Sequence, residues 1–252
     1  MTNILLSGAN GKMGQAVVRT VEGLETAKIV AGFDINTEVK NDFPVYNDLS
    51  KVIEKVDVLI DFSHPYMLED LLEFSISNLV PAVICTTGLT ADKLAKIDEA
   101  SKKVPIFFSA NMSLGVNLLI DLVCRASKIL EDNFDIEIIE KHHNLKIDAP
   151  SGTALAIADA ISETVDYTPE YTYDRHSVRK KREKSEIGIH AVRGGTIVGE
   201  HSVIFAGTDE IIEIKHSANS KEVFAVGAVK AALFLKTKVP RLYSMKDLIN
   251  EQ

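Results

Sequence analysis

The apolar run Ile4-Leu5-Leu6 leads into Gly8-Ala9-Asn10-Gly11-Lys12-Met13-Gly14, and a helical pattern begins at once, near Met13–Val21. Glycines at this spacing narrow the fold more than any other feature of the chain. A side chain on such a tight turn would keep a pyrophosphate from the backbone N–H groups at the helix start, and the third glycine lets helix and strand pack closely. Glycine also serves ordinary turns, so the pattern gains its weight from its place directly after an opening strand. It predicts a strand–turn–helix unit that receives a dinucleotide.

The rest of the first 110 residues agrees with that start. Short apolar runs that read as buried parallel strands alternate with helical patterns, the rhythm of a doubly wound α/β sheet. Strands are expected at Asn3–Ser7, Lys28–Phe33, Val56–Asp61, Ala82–Cys85 and Ile106–Ser109, with helices near Met67–Ser77 and Ala91–Lys102. After Asn117 the pattern changes to a long helix over about 116–130, a strand near Ile136–Glu140, a polar loop and a helix near Thr153–Thr164. Three further strand-like runs, Gly188–Val192, Thr196–Phe205 and Glu210–His216, point to an antiparallel or mixed sheet. The last helix, near Val223–Leu235, has no partner of its own and is expected to return to the first domain. The reading is a Rossmann-like domain from residues 1–113 and 223–252, with a central α+β domain at 114–222.

Composition bounds the function. A chain of 252 residues with 46% hydrophobic content can bury a substantial core, and a formal net charge of -8 argues against a nucleic-acid surface. The run Arg179-Lys180-Lys181-Arg182-Glu183-Lys184 is one short charge block in an acidic protein and reads as a solvated loop. No apolar stretch reaches the roughly 20 residues of a membrane span. Two cysteines make no disulfide framework, and nothing before Ile4 looks like an export signal, so a reduced cytoplasmic protein is expected.

Asp34 ends the second strand twenty residues beyond Gly14, where a carboxylate can accept hydrogen bonds from ribose hydroxyls. Ile35 and Asn36 follow it, with no arginine to receive a 2′-phosphate, so NADH is expected over NADPH; Lys12 could attract the phosphates of either. The loops Cys85-Thr86-Thr87-Gly88 and Ser109-Ala110-Asn111-Met112 leave strand C-termini, where ligands of open α/β sheets bind. Cys85 could be read as a nucleophile, but a cysteine closing a buried strand is more often a small core residue, as is Cys124 in its apolar helix.

The densest chemistry lies between Glu140 and Ala154, where His142, His143 and Lys146 share one loop and Ser151-Gly152-Thr153 opens a helix suited to a carboxylate. Metal binding is disfavoured: adjacent histidines on an extended segment point apart, and no Cys, Asp or Glu completes a zinc spacing. The plainer alternative is a surface loop with scattered polar residues.

This segment, Glu140-Lys141-His142-His143-Asn144-Leu145-Lys146-Ile147-Asp148-Ala149-Pro150-Ser151-Gly152-Thr153-Ala154, resembles the E-x-H-H-x-x-K-x-D-A-P-S-G-T-A signature of the dihydrodipicolinate reductase family. Four other runs are similar to that family in the right order: Gly8–Gly14, Thr86–Gly88, Ala110–Asn117 and Arg193–His201. Phe205-Ala206-Gly207 follows them, so the likeness spans nearly the whole chain. The resemblance implies hydride transfer from a nicotinamide to an unsaturated cyclic imine dicarboxylate, 4-hydroxy-tetrahydrodipicolinate in its dehydrated form, on the route to lysine. It implies His142 as proton donor, Lys146 as catalytic and substrate-orienting cation, and His143, Gly152 and Thr153 as substrate contacts. Gly8, Ala9, Asn10, Gly11, Lys12, Met13, Asp34, Cys85, Thr86, Thr87, Ser109, Ala110, Asn111 and Met112 would hold the cofactor. The central domain would bind substrate and form a homotetramer. Cys85 and Met112 depart from the usual glycine and phenylalanine, and Lys221 stands where some relatives carry arginine, losing bidentate carboxylate binding. Competing readings are another two-domain Rossmann oxidoreductase acting on a sugar or semialdehyde, and a nucleotide-sensing regulator without turnover.

Overall fold

The computed structural model describes residues 1–251, which divide into two compact units: Met1–Leu114 with the chain from Lys221 onward, and Gly115–Ser220.

The first unit is built on parallel strands, numbered along the whole chain: β1 (Thr2–Ser7), β2 (Ala27–Phe33), β3 (Val45–Tyr46), β4 (Val58–Asp61), β5 (Ala82–Ile84), β6 (Ile106–Phe108) and β12 (Leu242–Tyr243). Their order across the sheet is β12-β6-β5-β4-β1-β2-β3, so the winding reverses beside β1 and leaves a crevice at the strand C-termini. Successive side chains of a strand face opposite ways. One face therefore collects Ile4, Leu6, Val58, Ile60, Val83 and Phe107, covered by α1 (Lys12–Val21) and α6 (Glu222–Leu235). The other collects Leu5, Leu59, Ile84 and Ile106 under α2 (Leu68–Asn78) and α3 (Ala91–Ser101). The buried positions of α6 are mostly small, Ala225, Gly227, Ala228, Ala231 and Ala232 among them, which lets its backbone approach closely. A Cβ on Gly227 would stand 1.7 Å from the Met112 carbonyl oxygen. A short α7 (Met245–Asn250), with a Ser244/Asp247 capping box, closes this unit.

The second unit opens with α4 (Leu114–Leu130), whose first residue is the last of the preceding segment. It continues through β7 (Asp135–His142), α5 (Gly152–Ser162), β8 (Glu170–Thr172), β9 (Glu186–Arg193), β10 (Gly199–Ala206) and β11 (Ile211–Ala218). The five strands form a mixed sheet in the order β11-β10-β7-β9-β8, with β7, β9 and β8 parallel and β10 antiparallel to both its neighbours. Ile136, Ile138, Ile187, Ile189, Val203 and Phe205 face α4 and α5 through Leu119, Val123, Ala154, Ile157 and Ile161.

The structure departs from the sequence expectations at three places. The strand expected at Thr196–Phe205 begins only at Gly199, because Gly195 takes a left-handed φ of 48° and turns the chain. The short strands β3, β8 and β12 and helix α7 were not foreseen. The basic run is not simply solvated. Arg182 donates to the carboxylates of Asp135 and Glu137 and to the carbonyls of Ile136 and Glu186, and Lys184 reaches the Phe134 carbonyl. Arg175 and Lys180 reach the buried Glu186, so this loop is strapped to β7 and β9. Among the described residues, no helix is long and apolar enough to cross a membrane.

Candidate functional site

Five loops of the first unit leave the same edge of the parallel sheet. In the first, Gly8 has a φ of 74°, and a Cβ there would lie 2.6 Å from the Phe62 carbonyl oxygen. A Cβ on Gly14 would lie 2.1 Å from the Gly8 carbonyl oxygen, so only glycine admits this approach of α1 to the turn. Gly11 is the N-cap of α1, with no side-chain cap and no acidic residue in the first helical turn. The helix thus has no acidic side chain of its own at its positive end, with Asn10 half-buried and Lys12 and Gly11 exposed beside it. Ala9 is buried beneath the turn and Met13 packs against the core.

Asp34, just past β2, is already engaged: Oδ2 accepts the Asn10 N–H at 2.9 Å and Oδ1 accepts the Asn36 N–H at 2.9 Å. It ties the glycine turn to the end of β2. An ionised carboxylate has about four lone-pair positions, so capacity remains for a ribose hydroxyl. No arginine follows as far as Asn41, and Lys40 is exposed.

The loops after β4 and β5 are joined by Asp61, which the sequence reading passed over as a strand end. It is 1% exposed and accepts from Ser63 N–H at 2.9 Å, Ser63 Oγ at 2.6 Å and Thr86 Oγ1 at 2.7 Å, while its carbonyl accepts the Cys85 N–H. Burial, reinforced by the Asp61 charge, pushes the Cys85 thiol up, which removes it as a nucleophile. Thr86 is buried and Thr87 exposed. After β6, Ser109 Oγ donates to the Asn111 carbonyl at 2.8 Å, Asn111 Oδ1 accepts the Ser113 N–H, Ala110 is exposed and Met112 is buried. The structure therefore brings every residue expected at the nucleotide to one sheet edge.

In the second unit the chemistry gathers at the C-terminal end of β7. Glu140 continues the inward face of Ile136 and Ile138 and is wholly buried. Its Oε2 lies 2.7 Å from His142 Nδ1 and accepts from Arg193 Nη1 at 2.7 Å; its Oε1 accepts from Arg193 Nη2 at 2.7 Å and from the Ser151 N–H at 3.0 Å. Burial opposes the charge, but the bonds from Arg193, His142 and Ser151 outweigh it and hold the Glu140 carboxyl below its usual range. On β10, His201 is 4% exposed, lies 3.0 Å through Nε2 from Ser151 Oγ, and meets the His142 ring edge-on at 5.3 Å. Burial first, then the neighbouring His142, push His201 down to about 4, so it is neutral at physiological pH.

Lys146, expected as a substrate-orienting cation, is paired within its own loop. Its Nζ lies 2.8 Å from Asp148 Oδ1, and that contact holds the Asp148 carboxyl below its usual range. Lys146 is still near enough for its charge to act on His201. Ser151 caps α5 through the Ala154 N–H, and the helix opens with exposed Gly152 and half-buried Thr153, with no acidic residue in its first turn. His143 is half-buried with Nδ1 unpartnered. His142, His143, Lys146, Gly152 and Thr153 thus surround one end of β7, together with Glu140, Arg193 and His201, to which the sequence reading gave no role. Glu140 carried a readable signal: it is a carboxylate in phase with two isoleucines.

Family models match both parts of the chain: dihydrodipicolinate reductase, N-terminus, over residues 2–112, and dihydrodipicolinate reductase, C-terminus, over residues 115–249. The chain is 53% identical over 251 residues to a 4-hydroxy-tetrahydrodipicolinate reductase from Caldanaerobacter subterraneus subsp. tengcongensis, covering 100% of this chain and 99% of that one. It is 48% identical to one from Clostridium novyi, over 100% of both chains. A solved dipicolinate-bound dihydrodipicolinate reductase from Paenisporosarcina sp. TG-14 aligns with a TM-score of 0.83 and 26% identity, covering 97% of each chain. A myo-inositol dehydrogenase from Corynebacterium glutamicum, at a TM-score of 0.58 and 15% identity over 99% of this chain and 93% of that one, shares the fold alone. Matched over both parts and nearly its full length, the chain belongs to the dihydrodipicolinate reductase family.

Proposed function

We propose that the residues described above divide the work of the family's reaction, the pyridine-nucleotide-dependent reduction of 4-hydroxy-tetrahydrodipicolinate in lysine biosynthesis, as follows. The observation that carries this reading is the cluster at the end of β7, where an imidazole held by a buried carboxylate stands beside a helix start free of acidic residues.

The first unit is the dinucleotide-binding domain. Its glycine turn fits a pyrophosphate, because Gly8 and Gly14 leave no room for side chains and Gly11 leaves the start of α1 uncapped by any side chain. Gly8 to Met13, Asp34, Cys85 to Thr87 and Ser109 to Met112 would hold the nicotinamide nucleotide, which supplies a hydride when bound. Asp34 and the lack of a following arginine favour NADH over NADPH.

The second unit binds substrate and assembles the protein as a homotetramer working in the cytoplasm. Lys146, exchanging Asp148 for a substrate carboxylate, draws in the dianion and offsets developing negative charge. His143, Gly152 and Thr153 hold the substrate, with Gly152 offering close backbone approach. His142 delivers a proton to the atom made electron-rich by hydride addition, a task suited to imidazole near neutral pH. Dipicolinate, bound by the Paenisporosarcina relative, is a stable planar dicarboxylate and serves as a probe of this pocket. The test is to add freshly generated hydroxy-tetrahydrodipicolinate and follow NADH absorbance, with dipicolinate as competitor. Turnover inhibited competitively by dipicolinate is expected, and no turnover with either cofactor would refute the reading.

A further inference from the structure

We propose that Glu140 is the positioning residue for His142: it fixes the neutral imidazole as its Nδ1–H tautomer, so that Nε2 hands over the proton, while Gly199 keeps the space at Nε2 clear. The role of Nε2 rests on reading His142 as the proton donor.

A carboxylate in the core is tolerated only when fully hydrogen-bonded. Glu140 meets that demand with three N–H groups directed at its two oxygens, two from Arg193 and one from the Ser151 backbone, and with His142 Nδ1 as the fourth neighbour. Arg193 is itself fixed by the Asp148 carbonyl at 2.6 Å and the Val192 carbonyl at 2.8 Å, so the carboxylate has no freedom to swing away. Its bidentate guanidinium keeps Glu140 ionised, and an ionised carboxylate only accepts. The atom 2.7 Å away, His142 Nδ1, therefore carries the hydrogen. In the neutral ring Nε2 holds the lone pair; in the protonated ring it holds the transferable proton.

The surroundings agree with that direction. A Cβ on Gly199 would stand 3.1 Å from His142 Nε2, so any other residue would crowd the proposed donor atom. Glu140 on β7 and neutral His201 on β10 lie against the ring; Arg193 on β9 shares Glu140 with it, and Lys146 is near enough to act on His201. Apart from Glu140, none is hydrogen-bonded to His142. In the step itself a C–H bond forms on the substrate with the hydride that a bound reduced nicotinamide would supply by breaking its own C–H bond and becoming oxidised, and the electron pair of the substrate's double bond shifts to the neighbouring atom. That atom takes the Nε2 proton, and the ring keeps its Nδ1–H until water restores the proton.

The test is nitrogen-15 NMR of histidine-labelled protein without substrate, with the His142 signals assigned by their loss in His142→Gln. The neutral wild-type ring should show Nδ1 protonated and Nε2 bare; the reverse tautomer would overturn the proposal, and this measurement needs no folded Glu140 variant. Glu140→Gln, whose amide can donate as well as accept, should release the Nε2–H tautomer and lower kcat by about 10²–10⁴-fold with little change in substrate KM. A purely structural Glu140 would leave tautomer and kcat as they are, which would also overturn the proposal. If the wild-type ring is Nδ1–H but His142→Gln keeps normal kcat, the tautomer assignment stands and the proton-donor reading of His142 falls.

Discussion

His201 should make the protein lose stability well before ordinary acid denaturation. The ring is 4% exposed, and burial with the neighbouring His142 lowers its protonation from 6.5 to about 4. In the unfolded chain it titrates near 6.5. Above that pH both states hold it neutral and it has no effect. As pH falls from about 6.5 to about 4, the unfolded chain takes up a proton that the folded chain refuses, so stability drops and the loss is complete below about 4. That gap corresponds to about 3 kcal/mol. His201→Gln keeps a polar side chain near Ser151 and cannot titrate. Urea unfolding of both proteins by circular dichroism, at one protein concentration and at pH values from 7.5 to 4, gives the stability difference at each pH. Groups remote from His201 titrate alike in both proteins and cancel in the difference. The variant should start less stable and recover about 3 kcal/mol relative to wild type as the pH falls through this window. A flat difference would mean that the folded protein protonates His201 as readily as water does, and the electrostatic account of the cluster would fail.

Other expectations are as direct. Lys146→Ala should lower kcat and raise substrate KM, whereas His142→Gln should mainly lower kcat by about 10²–10⁴-fold; NADH affinity by separate titration should survive both. Asp34→Ala should weaken NADH more than NADPH, measured as the ratio of kcat/KM values, though some loss with both is expected because the Asn10 N–H loses its acceptor. Gly14→Ala should reduce both NADH affinity and Tm, since its Cβ would be forced to within 2.1 Å of the Gly8 carbonyl oxygen; an unchanged melting curve would refute the close approach of α1. Arg182→Ala should cost about 1–3 kcal/mol and speed trypsin cleavage in the basic loop, with kcat unaffected.

The parallel strands were legible because a strand buried on both faces reads as an unbroken apolar run, as Ile4-Leu5-Leu6 and Val58-Leu59-Ile60 do. Strands of two residues such as Leu242–Tyr243 carry no period to detect. Thr196-Ile197-Val198 has strand composition, but the preceding left-handed Gly195 decides its path. For the candidate site, residue types were readable and their partners were not. Lys146 was readable as a cation, but nothing in the sequence says that Asp148, two residues on, will fold back to it. Glu140 was visible in the signature, but its role depends on Arg193 in a neighbouring strand 53 residues away. Arg182 finds its carboxylates more than forty residues earlier, on β7, so the basic run could only be judged by its own composition.

The small-residue helix α6 has a consequence for the newborn chain. The sheet residues Ile4, Leu6, Ile60 and Val83 share their core with Ala225, Ala228, Ala232 and Leu235, which the ribosome adds only after the whole central unit, itself continuous in sequence. At about 5–20 residues per second, the stretch between Leu114 and Lys221 keeps the N-terminal strands waiting for roughly 5–20 s with one apolar face covered by α1 alone. The order of synthesis is therefore not the order of folding: the middle of the chain can close before the segment that precedes it does, and during that interval Met1–Leu114 is the segment that a chaperone would have to shield.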